Sequence, residues 1–192
     1  VKYPGAEADL AAIALGLDSA LAGESESRAF EALFHREYRT VVAIARRVLF
    51  DAHAAEDVAQ DVFVSFHRLH PPQAPYAARW LHVAAAHAAL NELRSRKRRQ
   101  RREMADAIAA APAAAHVPDP AAAIADAELR DRVRFALTRI GKRHAAALAM
   151  RHAGLSYAEV GAALALNANQ VGALLRRAEL ALKKELENGS SR

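Results

Sequence analysis

Apolar positions recur at helical spacing along almost the whole chain, and the alternating Val/Ile/Thr-rich runs that mark strands are missing. The pattern predicts an all-α fold. A weak first helix covers about Ala6 to Leu21 and stops at Gly23. The next starts near Ser27, with Phe30, Phe34, Val41, Ala45 and Val48 close to helical spacing. Asp51 is placed to cap a third helix, where Val58, Val62, Phe66 and Leu69 form one stripe. That helix ends at Pro71-Pro72, and a loop runs through Pro75. Another helix runs from about Ala77 past Arg94.

Residues 103–127 hold 13 Ala and 3 Pro and lack Lys and Arg. Pro112, Pro118 and Pro120 break any long helix there, so the segment reads as a linker with room for short helical stretches. Two small domains, 1–102 and 128–192, flank it. The second opens near Glu128 with an apolar stripe of Val133, Leu137 and Ile140, interrupted at Gly141. A short helix covers roughly Arg143 to His152 and ends at Gly154. Ser156 and Glu159 form a capping box in front of a helix that ends near Leu164. A turn at Ala165-Leu166-Asn167 leads into a final helix from about Ala168 to Leu186.

This last pair has the layout of a helix-turn-helix. Gly161 stands where the helices cross, and Val160, Leu164, Leu166, Val171 and Leu174 supply apolar anchors. Asn167, Asn169 and Gln170 then open the second helix, and amides suit bidentate contacts to adenine. Arg176 and Arg177 are placed to hold phosphates. A plain helical hairpin has the same spacing; the charge of the domain favours nucleic acid.

Charge is segregated along the chain. Lys+Arg stand against Asp+Glu as 8 to 12 in residues 1–93, 7 to 0 in 94–102, 0 to 4 in 103–127 and 12 to 6 in 128–192, within a net charge of +5. Two regions therefore suit a polyanion, and the acidic N-terminal part suits a basic partner. Seven cations in the nine residues from Arg94 to Arg102 exceed what a helix terminus needs to offset its dipole. At about 100° per residue, Trp80, His87, Asn91, Arg94 and Arg98 share one stripe, beside an apolar stripe of Val83, Leu90 and Leu93. An aromatic followed by two polar side chains and two arginines suits a single strand or melted duplex. Trp80 as a core residue stays open at this point.

The third helix contains Ala55-Glu56-Asp57-Val58-Ala59-Gln60-Asp61-Val62-Phe63. Asp57 and Asp61 lie four apart on one face, with Gln60 beside them. Like charges at that spacing slightly destabilise a helix, and a basic partner would offset this. A general acid/base pair is the competing reading, but no nucleophile or phosphate loop accompanies it. His67 and His70 have the spacing of a metal pair without a convincing third ligand, so no metal and no cofactor are expected. The absence of cysteine excludes disulfides, thiolate zinc sites and thiol catalysis. No apolar run reaches the roughly 20 residues a membrane span needs. No signal-peptide pattern opens the chain, so a cytoplasmic location without membrane insertion is expected.

From about Ala29 to Leu186 these features, in this order, resemble bacterial sigma factors of the extracytoplasmic-function type. The carriers are Ala55–Phe63, close to an AEDxxQ(D/E)xF signature; Trp80-Leu81; Leu93-Arg94 with the arginines that follow; and Gly154-Leu155-Ser156-Tyr157-Ala158-Glu159-Val160. The resemblance implies two helical domains, regions 2 and 4, and a transcription initiation factor that is not an enzyme. Its implied partners are core RNA polymerase, promoter DNA and an anti-sigma factor. It implies polymerase docking through Asp57, Gln60, Asp61 and Phe63. Work at the −10 element falls to Trp80, His87, Asn91, Arg94, Arg96, Lys97 and Arg98, with a flipped base at the Pro71–Tyr76 loop. Reading of the −35 element falls to Asn167, Asn169, Gln170, Arg176 and Arg177. The recognition helix departs from the family's usual Val-Lys-Ser-Arg, reading Val171-Gly172-Ala173-Leu174. The alternative is a stand-alone helix-turn-helix regulator that binds duplex DNA as a dimer. A carboxylate hydrolase is a weaker third reading.

Overall fold

In the computed structural model the backbone is described for residues 6–109 and 121–190, and side chains for 23–100, 102–103 and 126–189. Seven helices occupy the described residues: α1 Ala6–Leu49, α2 Ala52–Leu69, α3 Ala77–Ala109, α4 Ala121–Arg139, α5 Lys142–His152, α6 Tyr157–Leu164 and α7 Ala168–Ser190.

Helices α1, α2 and α3 pack on one another as a three-helix unit. Leu33, Val41, Ile44, Ala45 and Val48 of α1 meet Val58, Val62, Phe63 and Phe66 of α2 and Leu81, Ala85 and Leu90 of α3, all buried. The Asp51 side chain accepts a hydrogen bond from the Ala54 N–H at 3.1 Å and starts α2, as its position predicts. One charged residue stands in the apolar row of α1. Glu37 lies four residues after Leu33 and four before Val41, and it is buried. His82 of α3, also buried, comes within 3.0 Å of one carboxylate oxygen. Arg36 donates to the other at 2.8 Å. This polar pair fixes how α1 and α3 slide against each other, because any other register leaves a buried group unpaired.

Several boundaries differ from the expectation. Helix α1 runs through Gly23 instead of stopping there; an isolated glycine costs a helix about 1 kcal/mol, which its neighbours can absorb. Helices α3 and α4 enter the expected linker from both sides, to Ala109 and from Ala121. Pro112, Pro118 and the rest of 110–120 lie outside the described residues.

The C-terminal helices do not stand apart from the first three. Six consecutive residues of α5, Ala145 to Met150, are buried. At about 100° per residue, six in a row point in every direction round a helix, so α5 is enclosed on all sides. It packs against α1 and α3 on one side and α4, α6 and α7 on the other. Four of the six are alanines, whose single carbons let backbones approach closely. Each gains only roughly 0.8 kcal/mol on burial, against about 1.5–3 for a large apolar side chain. Two hydrogen bonds reinforce the junction. Arg134 of α4 donates from Nε to the Leu49 carbonyl at 3.0 Å and from Nη2 to that of Phe50 at 3.4 Å, covering the C-terminus of α1.

Replacing His82 by Leu removes the partner of a buried carboxylate. The expected loss is about 1.5–3 kcal/mol of unfolding free energy, read by urea titration. His82→Leu combined with Glu37→Met should recover most of it, because a matched apolar pair leaves no unpaired charge. A single variant as stable as the parent would contradict the register role.

Candidate polymerase and nucleic-acid interfaces

Helix α2 divides cleanly between inside and outside. Ala55, Val58, Ala59, Val62, Phe63 and Phe66 are buried, while Asp57, Gln60 and Asp61 are exposed with Val64 on the same outer face. Phe63 requires a correction as a docking residue. It lies in an aromatic cluster, 4.9 Å from Phe34, 6.2 Å from Tyr38 and 6.3 Å from Phe30 between ring centroids, and is 2% exposed. Its side chain offers no surface to a partner; it anchors the helix that presents the carboxylates. Its spacing from Ala59 and Phe66 carried that signal. Asp57 and Asp61 share a shallow groove with Asn91, Ser95 and Arg98 of α3, so the acidic face borders the basic one.

Along α3 the expected stripe exists, but its members differ in environment. Trp80 is half-buried, with its ring 4.8 Å from His70 and 5.4 Å from Phe66. It is neither a core residue nor a free platform. The Tyr76 hydroxyl lies 3.4 Å from His70 Nδ1, tying the Pro-rich loop to the end of α2. The His67 ring lies tilted 4.5 Å from that of Phe30, and His70 packs on Phe66 and Trp80, so the two histidines of the candidate metal pair take part in aromatic packing. His87 is held below the usual histidine range, chiefly by desolvation and then by Lys142 and Arg94 nearby. Arg94 has one buried guanidinium nitrogen, Nη1, without a hydrogen-bond partner. Asn91 and Arg98 are exposed.

The rest of the basic run is partly engaged. Arg96 donates to Glu92 at 2.8 Å and to Asp51 at 3.0 Å. The Ala54 N–H and then Arg96 hold the Asp51 carboxyl below its usual range. That carboxylate therefore stabilises the fold above the ordinary Asp range, and its contribution is lost as pH falls through the lowered value. Lys97 places its ammonium 3.3 Å from the centroid of the Phe135 ring on α4, a cation–π contact between the two halves.

In the C-terminal half the helix-turn-helix forms as its residues require. The Ser156 hydroxyl accepts from the Glu159 N–H at 3.2 Å, and the Ser156 N–H donates to the Glu159 carboxylate at 2.7 Å. The Ser156 hydroxyl also donates to the Glu159 carboxylate at 2.6 Å, and this bond, followed by the one from the Ser156 N–H, holds Glu159 below the usual carboxylate range. Ala165 closes α6 in the left-handed region at φ 53°. At the crossing, a Cβ on Gly161 would lie 2.7 Å from the Leu166 carbonyl oxygen, so only glycine fits. Asn167, Asn169, Gln170, Arg176 and Arg177 are all exposed. Gln170 is not wholly available, since its Oε1 accepts from the Asn167 N–H at 2.9 Å. A bidentate grip on adenine needs that oxygen as well as the NH₂. In this form Gln170 shapes the turn, while Asn169 is exposed.

The start of the α3 stripe faces the end of α6 across a cleft. Tyr76, Arg79, Trp80, Val83 and His87 line one cleft of about 540 Å³ with Ala162, Ala163 and Ala165 of the helix-turn-helix. Neither this contact nor the roles of Phe135, Arg134 and His82 were visible in local patterns. Each depends on segments far apart in sequence.

Residues 33–99 match the family described as sigma-70 region 2. A similar solved structure is the complex of the sigma factor RpoE with the anti-sigma factor NepR from Bartonella quintana. The likeness there has 18% identity and a TM-score of 0.43, covering 82% of this chain and 96% of that one. No curated protein matches the sequence.

Gly161→Ala is expected to cost about 1–3 kcal/mol, because a carbonyl must move to admit the methyl. Thermal unfolding followed by circular dichroism reads the loss. An unchanged midpoint would mean the helices can cross without this close approach.

Proposed function

We propose that this chain is a sigma factor, a transcription initiation protein, a reading supported by the match of residues 33–99 to sigma-70 region 2, and that its surfaces divide the work as follows. The reading is an extracytoplasmic-function factor that acts in the cytoplasm by binding rather than by catalysis. The exposed Asp57, Gln60 and Asp61 face docks on a basic surface of core RNA polymerase. The observation that carries this is the segregation within α2: Val58, Ala59, Val62, Phe63 and Phe66 are buried, which leaves Asp57 and Asp61 outward and exposed. The Trp80–Arg98 stripe takes the unwound −10 strand. There a half-buried indole supplies a stacking face, and Asn91 and Arg98 follow the backbone. The helix-turn-helix reads duplex at −35 through Asn169, with Arg176 and Arg177 on phosphates. An anti-sigma partner, which the sequence resemblance implies, belongs to the same proposal. Among the described residues no helix is long and apolar enough to cross a membrane.

One set of measurements tests the division. Asp57→Lys with Asp61→Lys should leave thermal stability near that of the parent, since both groups are exposed. Affinity for core polymerase should fall by at least tenfold, because like charges across an interface cost several kcal/mol. Trp80→Ala should impair promoter opening, read by permanganate reactivity of melted thymines, by about 1–3 kcal/mol for a lost stacked base. It will also lower the melting temperature, given the contacts with Phe66 and His70. Asn169→Ala should weaken duplex recognition and spare opening on a pre-melted template. Unchanged polymerase affinity in the first variant would refute the docking face. Duplex binding without polymerase, indifferent to Trp80, would point to a stand-alone regulator instead.

A further inference from the structure

Charge counted along the sequence gives residues 1–93 an acidic excess, but the fold gathers part of their cationic charge into one place. Arg39 and Arg46 lie seven positions apart on α1, two turns, and so share a face, with Arg47 at its edge. Together with Arg130 of α4 and the ring of Phe50 they line a groove of about 760 Å³. All four arginines are exposed, and among the described residues the lining holds no carboxylate. Neighbouring cations are engaged: Arg36 pairs with Glu37, and Arg134 with Asp131. Among the described residues no carboxylate stands within ion-pair distance of Arg39, Arg46 or Arg47. Offsetting the dipole at the end of α1 does not account for this set. Arg39 lies nearly three turns from that end, and Arg134 already covers the Leu49 and Phe50 carbonyls.

Phe50 adds a second observation. It follows α1 with φ 52°, in the left-handed region where glycine is the usual occupant. Its N–H donates to the Arg46 carbonyl at 2.9 Å, and its own carbonyl accepts from Arg134. The residue is 38% exposed, and its ring lines the groove with the Arg134 guanidinium 5.7 Å from its centroid. A bulky aromatic thus stands at a strained position beside the arginines.

We propose that this groove binds a nucleoside polyphosphate, with Arg39, Arg46, Arg47 and Arg130 on the phosphates and the base stacked on Phe50. Guanidinium groups hold phosphate oxygens bidentately, and an aromatic ring accepts any base on its face. The volume falls in the range of small-ligand sites. The surroundings favour a compact polyanion over a long strand. Before Arg39 the first exposed carboxylate on α1 is Glu31, and on α4 Arg130 stands among the exposed Asp126, Glu128 and Asp131. A strand continuing along either helix meets those carboxylates, whereas a polyphosphate stays within the arginines. The groove is separate from the acidic α2 face, the α3 stripe and the recognition helix, so the proposal does not rest on the roles given to them.

Isothermal titration of the full chain with ATP, in magnesium-free buffer at one salt concentration, tests this. Inorganic tripolyphosphate and a mixed-sequence single-stranded 15-mer are the other two probes. ATP should bind at one site per chain and more tightly than tripolyphosphate. Arg39→Ala with Arg46→Ala should weaken both by roughly tenfold or more. Phe50→Gly should weaken ATP by about tenfold, the scale of one stacked base, and leave tripolyphosphate unchanged. Glycine suits the left-handed backbone, so this variant should fold, and melting curves check it and the others. Arg68→Ala with Lys184→Ala removes two exposed cations outside the groove and should bind ATP like the parent. A parent that binds neither ATP nor tripolyphosphate overturns the proposal. So does a loss in the Arg39 and Arg46 variant no larger than in that control, since the ligand then sits elsewhere or responds only to net charge. Equal binding of ATP and tripolyphosphate, indifferent to Phe50→Gly, overturns the assignment of a nucleoside. If the 15-mer binds, weakens with the Arg39 and Arg46 substitutions and is not displaced by ATP, the groove is a nucleic-acid track and the proposal falls.

Discussion

The arrangement of this molecule depends on the enclosure of α5. A helix buried on all sides must lie between two layers. Its alanines allow α1 and α3 to approach from one side as closely as α4, α6 and α7 approach from the other. Without that helix the N-terminal three-helix unit and the helix-turn-helix would share only the α4 contacts and the α3–α6 cleft. Close packing of small side chains gives good fit with modest energy per residue. A junction built this way holds a defined geometry.

Polar interactions then decide which surfaces face outward. The buried Glu37–His82 pair fixes α1 against α3, and the aromatic cluster around Phe63 fixes α2 against α1. Together they present Asp57 and Asp61 to solvent. Within the basic run the cations are not equivalent. Arg96 is spent on the α2 cap and on Glu92, and Lys97 rests on Phe135. Asn91 and Arg98 remain exposed. A dense charge run is thus partly structural, holding helices together, and partly free to meet a polyanion.

What could be read from the sequence was local. The Asp51 cap, the Ser156–Glu159 box and the glycine at the helix crossing each depend on residues within ten positions of one another, and all three stand where the spacing put them. Three of the four positions of the α2 stripe, Val58, Val62 and Phe66, were legible because their side chains are large and regularly spaced, whereas Leu69 at the helix end is exposed. Alanine was the main obstacle. It is compatible with a core, a surface or a linker, so the segment from Lys142 to His152 gave no apolar stripe to show that it is buried all round. The Ala-rich ends of α3 and α4 passed for linker for the same reason. Phe63 was read through a motif when its spacing already placed it inside. Gln170 was read as a base contact because a side chain's hydrogen bond to its own turn cannot be told from composition.

The central claim is that α5 is held between the two halves in the free protein. Methyl-selective NMR on the 20.7 kDa chain with labelled alanines addresses it directly. The structure predicts nuclear Overhauser cross-peaks linking alanine methyls of α5, between Ala145 and Ala149, to alanine methyls of α3. If the α5 methyls show contacts only with α4, α6 and α7, the halves are separate in solution and the enclosed helix does not exist there.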